Sequence, residues 1–195
     1  MSSTDSTDLR GQLRRADKVM SDAEVHAFLE KAFCGRTATV GSDGFPYVVP
    51  NLFVWHEEAV WLHTARSNGH FARNVAHENR VCFEVDEPGE VFPYGHIECD
   101  TSVSFRSVVI FGRISLVREA ARARDFFERF MTKYAPTDSW EREKGSFPRL
   151  EATQVYRIAV ESKTGKSGVL PAVEDRWPAR NNTLSPNWRR APLKP

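Results

Sequence analysis

The sequence contains few cysteines, and their spacing suggests no pairing. Cys34, Cys82 and Cys99 are the three cysteines among 195 residues, and no Cys-x-x-Cys motif occurs. An odd number of widely spaced cysteines excludes a complete disulfide framework and gives no indication of a thiolate zinc site. We therefore expect buried free thiols.

Long apolar runs are also absent from the sequence. A membrane-spanning helix would need roughly 18 or more consecutive apolar residues. Residues 1–8 are polar and lack the basic start and apolar stretch of a secretory signal. We therefore expect a cytoplasmic protein with no membrane partner.

Neither sign of charge dominates the composition. Lys and Arg total 27 against 26 Asp and Glu, which gives a formal net charge of +1. Nucleic-acid-binding proteins usually carry a clear basic excess or a basic stripe. We therefore expect no nucleic-acid partner, and any site for an anion must be local.

Histidine spacing does not predict a metal site. His56, His63, His70 and His77 recur every seventh residue, but they fall on a predicted turn, a strand and the two ends of a helix. The segment His96–Cys99 has ligand types suited to zinc, yet no second pair of ligands accompanies it. We expect no bound metal.

Apolar periodicity predicts an alternation of short strands with a few helices. A capping box at Ser21 and Glu24 begins a helix. Further helices are predicted over 69–77 and 118–134. Strands are predicted over 36–40, 45–55, 59–64, 80–85, 104–117 and 153–160. Residues 86–101 are expected to form a surface loop, and Gly112 a bulge or a bend.

This order of elements predicts a mainly β domain of the α+β class. Tight turns between the strands leave no helical crossovers, so the sheet is antiparallel and forms a small closed or half-open barrel with flanking helices. We expect a flexible N-terminal arm over 1–20, the barrel domain over 21–162, and a tail over 163–195. Trp177 and Trp188 predict that part of this tail is packed.

Three segments carry groups suited to a flat anionic ligand. A strand that contains Pro50 lacks one backbone donor and leaves polar groups free to meet a ligand edge. The segment 64–70 places hydroxyls and basic groups before a helix, whose first amides favour phosphate. Arg106 and Ser107 could add a charged donor and a hydroxyl, although Arg106 could equally pair with an acid on a neighbouring strand.

Taken together, these segments resemble the FMN-binding split-barrel proteins of the pyridoxamine 5'-phosphate oxidase-like superfamily, and most of all the nitroimidazole-resistance (Nim) reductases. The similar stretches are FPYVVPNLFVW over 45–55, VWLHTARSNGH over 60–70 and SVSFRSVVIFGR over 102–113. In order and spacing the resemblance covers roughly residues 20–160. It implies a six-stranded antiparallel split β-barrel with flanking helices.

The resemblance also implies site residues. His63 matches the histidine proposed as catalytic in the Nim-like reductases, where it would donate a proton to the substrate or contact the isoalloxazine ring. The implied cofactor-binding residues are Pro50, Asn51, Leu52, His63, Thr64, Arg66, Asn68, His70, Arg106, Ser107 and Val108.

The function implied is an FMN-dependent oxidoreductase that reduces a small molecule, such as a nitroaromatic, as a homodimer with each flavin site between subunits. His70 stands where many relatives carry a lysine, which leaves a deazaflavin open as the cofactor. A non-catalytic flavin or haem binder is the alternative from another class. Oxidation of pyridoxamine phosphate itself is disfavoured, because the Arg-x-His pair of that enzyme is missing and no histidine follows His96.

Overall fold

The computed structural model describes residues 13–66, 68–92, 101–135, 147 and 149–170. Several sequence-based expectations fall outside these residues. They concern residues 1–12 of the N-terminal arm, Ser67, the segment His96–Cys99 and the part of the tail beyond residue 170, with Trp177 and Trp188.

The described residues form three α-helices and seven β-strands. The helices are α1 (Asp22–Lys31), α2 (His70–His77) and α3 (Ala120–Tyr134). The strands are β1 (Gly35–Val40), β2 (Pro46–Asn51), β3 (Phe53–His56), β4 (Ala59–Ala65), β5 (Arg80–Phe92), β6 (Ser102–Leu116) and β7 (Thr153–Gly168). Short 3-10 turns lie at Ala16–Lys18 and Leu150–Ala152. None of the described helices is long and apolar enough to cross a membrane.

All seven strands belong to one antiparallel sheet, in the order β2-β1-β5-β6-β7-β4-β3. The two edge strands, β2 and β3, are separated in the chain only by Leu52. The sheet must therefore curl until its edges come together, although no ladder joins β2 to β3 among the described residues. The predicted class, a mainly β and antiparallel α+β fold, is confirmed.

The strand count differs from the prediction of six. The segment predicted as one strand over 45–55 divides at Leu52, because Asn51 still pairs with Gly35 of β1 whereas Phe53 pairs with Leu62 of β4. One chain segment thus supplies both edges of the curled sheet. Strand-favouring residues continue through the division, so the sequence gives no sign of it.

Two other strands are longer than predicted. β5 continues through Pro88 to Phe92, because the start of β6 pairs with it across a register shift. The predicted loop over 86–101 was therefore wrong for residues 86–92. β7 continues past Val160 to Gly168. Within this extension Gly165 allows α1 to approach the strand, because a Cβ at residue 165 would lie 2.4 Å from Cγ2 of Val25.

The main core lies inside the curled sheet and is closed by α1 and α2. Fully buried side chains such as Phe53, Leu62, Phe83 and Ile110 fill it. α1 begins with the predicted capping box, in which Glu24 Oε2 accepts from the Ser21 amide at 2.7 Å. Both reciprocal bonds of the box are present, so the prediction of this helix start is confirmed.

α3 packs on the outside of the sheet and forms a second, smaller core. Phe126 is buried there against Val54, Ala59, Trp61 and Val155. These partners lie on β3, β4 and β7, so α3 covers only that side of the barrel. It is this second core that surrounds the candidate site.

Candidate functional site

His63 lies on β4 with its side chain towards α3. It follows Trp61 by two residues and shares that strand face. Its ring centroid lies 5.8 Å from that of Phe126, 5.3 Å from that of Phe127 and 4.9 Å from that of Phe130. The imidazole is therefore enclosed on one side by three aromatic rings of α3.

The half-buried ring of His63 has an unsatisfied nitrogen. Its Nδ1 is inaccessible to solvent and makes no hydrogen bond to any of the described residues. Burial also lowers the pKa of His63, since the charged imidazolium is disfavoured away from water. At neutral pH the ring is therefore neutral and suited to one polar contact rather than to acting as a cationic acid. An unpaired buried polar atom is costly and commonly marks a functional group.

The predicted residues of the β2–β3 connection have different surroundings. Phe53 pairs with Leu62, so continuing this register places Leu52 opposite His63. The Asn51 side chain accepts a hydrogen bond from Oγ1 of Thr37 at 2.7 Å. Pro50 lies exposed on β2, where an edge strand tolerates its missing donor.

Two α3 residues that the sequence did not single out hold this connection in place. The hydroxyl of Tyr134 accepts from the Phe53 amide at 3.0 Å and lies 2.8 Å from the Phe53 carbonyl oxygen. Lys133 Nζ donates to the same carbonyl at 3.1 Å, and burial lowers the pKa of this lysine to about 8. No local signal indicates these contacts, because they join residues about 80 positions apart.

The segment predicted to bind phosphate leads from β4 into α2. Gly69 caps α2 without a side-chain hydrogen bond, and the first turn contains no acidic residue. The amides of that turn lack intrahelical partners. His70 stacks on Tyr47 with 4.3 Å between ring centroids, and Arg73 donates to the Asn68 carbonyl at 3.1 Å. Among the described residues, the helix start thus presents unpaired amide donors beside Asn68, His70 and Arg73.

Thr64 and Arg66 point in other directions. The Thr64 hydroxyl donates to the Ala65 carbonyl at 3.2 Å. Arg66 turns towards the Leu150–Ala152 turn, where its guanidinium donates to the Glu151 carbonyl at 3.0 Å and its amide to the Ala152 carbonyl at 2.8 Å. Arg66 therefore contacts the Leu150–Ala152 turn and not the start of α2.

The predicted residues of β6 lie on alternate faces of the sheet. Arg106 forms an ion pair with Glu87 at 2.5 Å, which is the surface pairing that remained an alternative from the sequence. Its guanidinium also lies over the Phe28 ring, 5.2 Å from the ring centroid. Ser107 points to the outer face, opposite Asp86 in the register. Val108 is fully buried in the main core, so its side chain is inaccessible to a ligand.

Within one chain His63 and the predicted residues of β6 form two separate groups. β7 pairs with His63 through Val155 and with Arg106 through Ser167. These two β7 residues are twelve positions apart, which corresponds to about 40 Å along an extended strand. His63 and Arg106 therefore lie far apart along β7, whereas Pro50 lies only three strands across the sheet from Val109, through Arg36 and Glu84.

Similar folds occur among solved structures. The flavocytochrome Anf3 of Azotobacter vinelandii is 24% identical, with a TM-score of 0.71 over 95% of this chain and 92% of that chain. The FAD and heme binding protein of Mycobacterium smegmatis is 21% identical, with a TM-score of 0.66 over 80% and 76%. A proposed 5-nitroimidazole antibiotic resistance protein of Bacteroides thetaiotaomicron is 19% identical, with a TM-score of 0.64 over 77% and 86%. These likenesses establish a shared fold.

Sequence comparison extends this result to the family. No curated protein matches the chain. The family model described as pyridoxamine 5'-phosphate oxidase matches residues 21–167, which include every strand but the last residue of β7. This match confirms the resemblance found in the sequence. The chain belongs to the pyridoxamine 5'-phosphate oxidase family.

Proposed function

We propose that the chain binds FMN between two copies of itself and acts as an oxidoreductase that reduces a small molecule, such as a nitroaromatic. The observation that carries this proposal is His63, a neutral, half-buried imidazole whose Nδ1 is unpaired among the described residues and which lies beside the β2–β3 connection. A flavin ring presents the flat polar edge that such a group and the nearby backbone can contact. Bound flavin would supply the transferable electrons.

The residues of this chain would bind and orient the cofactor. The free amides at the start of α2, with Asn68, His70 and Arg73, suit the phosphate. His63 would contact the ring system, and the phenylalanines of α3 would exclude water beside it. Family membership supports this reading, as does the likeness to a protein described by its nitroimidazole resistance.

The separation of the two predicted groups supports a dimer. If His63 and Ser107 contact the same cofactor, two subunits supply them most simply, because their register partners Val155 and Lys166 are eleven positions, or about 36 Å of extended strand, apart. The outer face of β2, β1, β5 and β6 suits a second copy. It carries a row of small or apolar residues paired in register, Val48, Ala38, Cys82 and Phe111. Val48 is 57% exposed in the single chain.

Replacing Val48 with Asp is expected to dissociate the dimer, because a charge would be buried in the proposed apolar interface. Sedimentation should give the mass of two chains for the natural protein and one chain for V48D, and FMN affinity should fall about 10-fold or more. The matched control is Val169→Asp, at a position 90% exposed beyond the end of β7. A monomeric natural protein, or a V48D dimer with unchanged FMN affinity, would refute the shared site.

Replacing His63 with Gln tests the proposed reaction. With FMN bound and a chemical reductant present, we expect the kcat for reduction of a 5-nitroimidazole to fall about 100-fold, the lower end of the range for loss of one aligned hydrogen-bond donor. The FMN dissociation constant should change less than about threefold. His77→Gln, at an exposed position on α2, is the control. Equal kcat values for H63Q and the natural protein would exclude His63 from the reaction.

Haem binding is the second candidate function. A neutral imidazole with an unpaired nitrogen also fits an axial haem ligand, and two structures of similar fold are described as a flavocytochrome and as an FAD and heme binding protein. Added haem would then give a Soret band that His63→Ala abolishes. A spectrum of free haem in both proteins would rule this candidate out.

A further inference from the structure

A cleft of about 290 Å³ opens at the end of β4, beside Arg66. Its walls come from the β6–α3 connection, the first turns of α3, the 3-10 turn at Leu150–Ala152 and the start of β7. Leu116, Val117 and Leu150 make part of it apolar, whereas Arg66 and Arg118 contribute guanidinium groups. An apolar cavity with a few placed charges is the usual form of a small-molecule site.

The two arginines of this cleft differ from others in the molecule. Arg36, Arg113 and Arg122 each pair with a carboxylate. Within the described ranges, Arg66 and Arg118 pair with none. Glu151 also lines the cleft, but Arg66 donates to its main-chain carbonyl rather than to its carboxylate. The cleft therefore carries a net positive charge.

The cleft is adjacent to His63. Val155, which lines it, is the register partner of His63, and Gln154 pairs with Thr64. Ala123, another lining residue, packs in the second core with Phe126 and Phe130. A molecule anchored on the two arginines would thus lie against the strand and the helix that enclose His63.

We propose that this cleft binds the carboxylate or phosphate of a small organic molecule, with Arg66 and Arg118 as the anion-binding residues. Guanidinium groups form charge-assisted, often bidentate hydrogen bonds with such anions. The apolar wall would hold the body of the molecule. The assignment of this anion as the substrate, rather than as an unrelated ligand, rests on the proposed function.

The test compares a charged probe with its neutral counterpart. Fluorine NMR titration of the full chain with 4-fluorobenzoate and 4-fluorobenzamide should show the carboxylate bound about 5- to 10-fold more tightly, close to the effect of one exposed charge-assisted hydrogen bond. Arg118→Ala should remove this preference, and Arg118→Glu should reverse it. Arg129→Ala, on α3 with its own partner Asp125, should leave it unchanged.

Equal affinity for the two probes in the natural protein, or a preference that persists in R118A, would overturn the anion site. The titration is repeated on chain saturated with FMN. Displacement of the benzoate by FMN would show that the arginines hold the cofactor phosphate and would overturn the substrate assignment. If the natural protein does not bind FMN but still prefers the carboxylate probe, the proposed function is refuted and the anion site is retained.

Discussion

Replacing Gly112 with Ala is expected to cost about 4 kcal/mol of the free energy of unfolding, or to prevent folding, since most domains have only about 5–15 kcal/mol in total. A Cβ at this position would lie 2.2 Å from the Ala159 carbonyl oxygen and 3.1 Å from the carbonyl carbon. The neighbouring atoms belong to the backbone of β7, so no side-chain rotation relieves the overlap. Urea unfolding followed by circular dichroism measures the loss.

Gly89 provides the matched control for this prediction. A Cβ there would approach Oγ of Ser104 at 2.3 Å, but that hydroxyl can rotate away. Gly89→Ala should therefore cost less than about 1 kcal/mol, within the usual range of surface changes on a sheet. Similar losses for G112A and G89A would show that the β6–β7 register shift does not depend on glycine.

Replacing Phe126 with Ala is expected to lower the free energy of unfolding by about 3–4 kcal/mol, the usual cost of removing a buried aromatic ring. Phe126 is 2% exposed and anchors α3 to the sheet. The substitution should also admit water to His63, so the pKa of His63 should rise towards its ordinary value. NMR titration of the imidazole in both proteins measures this second effect.

The pH dependence of stability provides a second test of the enclosure of His63 by α3. Because burial lowers the pKa of His63, the unfolded chain binds a proton more readily than the folded one as pH falls through about 6.5. This group therefore destabilises the natural protein below that pH and has no such effect above it. The acid destabilisation should be smaller in F126A and unchanged in Phe45→Ala, at a position 74% exposed. An unaltered His63 pKa in F126A would contradict the enclosure of the ring by α3.

Local sequence signals sufficed for much of the fold. The capping box at Ser21 and Glu24 predicts the start of α1 because both groups lie within one turn. Short connections predict antiparallel pairing, and Gly112 within a β-prone run predicts the irregularity found between Phe111 and Gly112. These features depend on residues that are neighbours in the chain.

Other features depend on contacts between distant residues and could not be predicted. The division at Leu52 follows from which strands pair with β2 and β3. The extension of β7 to Gly168 uses lysines and glycines that have low strand preference, and pairing with β6 overrides that preference. Lys133 and Tyr134 contact the Phe53 backbone from the end of α3, and no periodic pattern records such a contact.

The candidate site also depends on contacts that the sequence does not reveal. The resemblance singled out His63, but only the structure shows its enclosure by α3 and its unpaired nitrogen. Arg66 was expected beside the phosphate, whereas its guanidinium turns to Glu151 and the cleft. No feature of the sequence indicated that Arg118 belongs to a site, because its position near Arg66 depends on the packing of α3. The roles of the cofactor-binding residues remain predictions.

The measurement that tests the proposed function most directly is an absorbance titration of the purified full chain with FMN, with a deazaflavin and haem as parallel ligands. We predict shifted flavin bands that saturate near one FMN per chain. Absence of any shift with FMN, together with clear uptake of haem or the deazaflavin, would contradict the proposal while leaving the fold and the family unchanged.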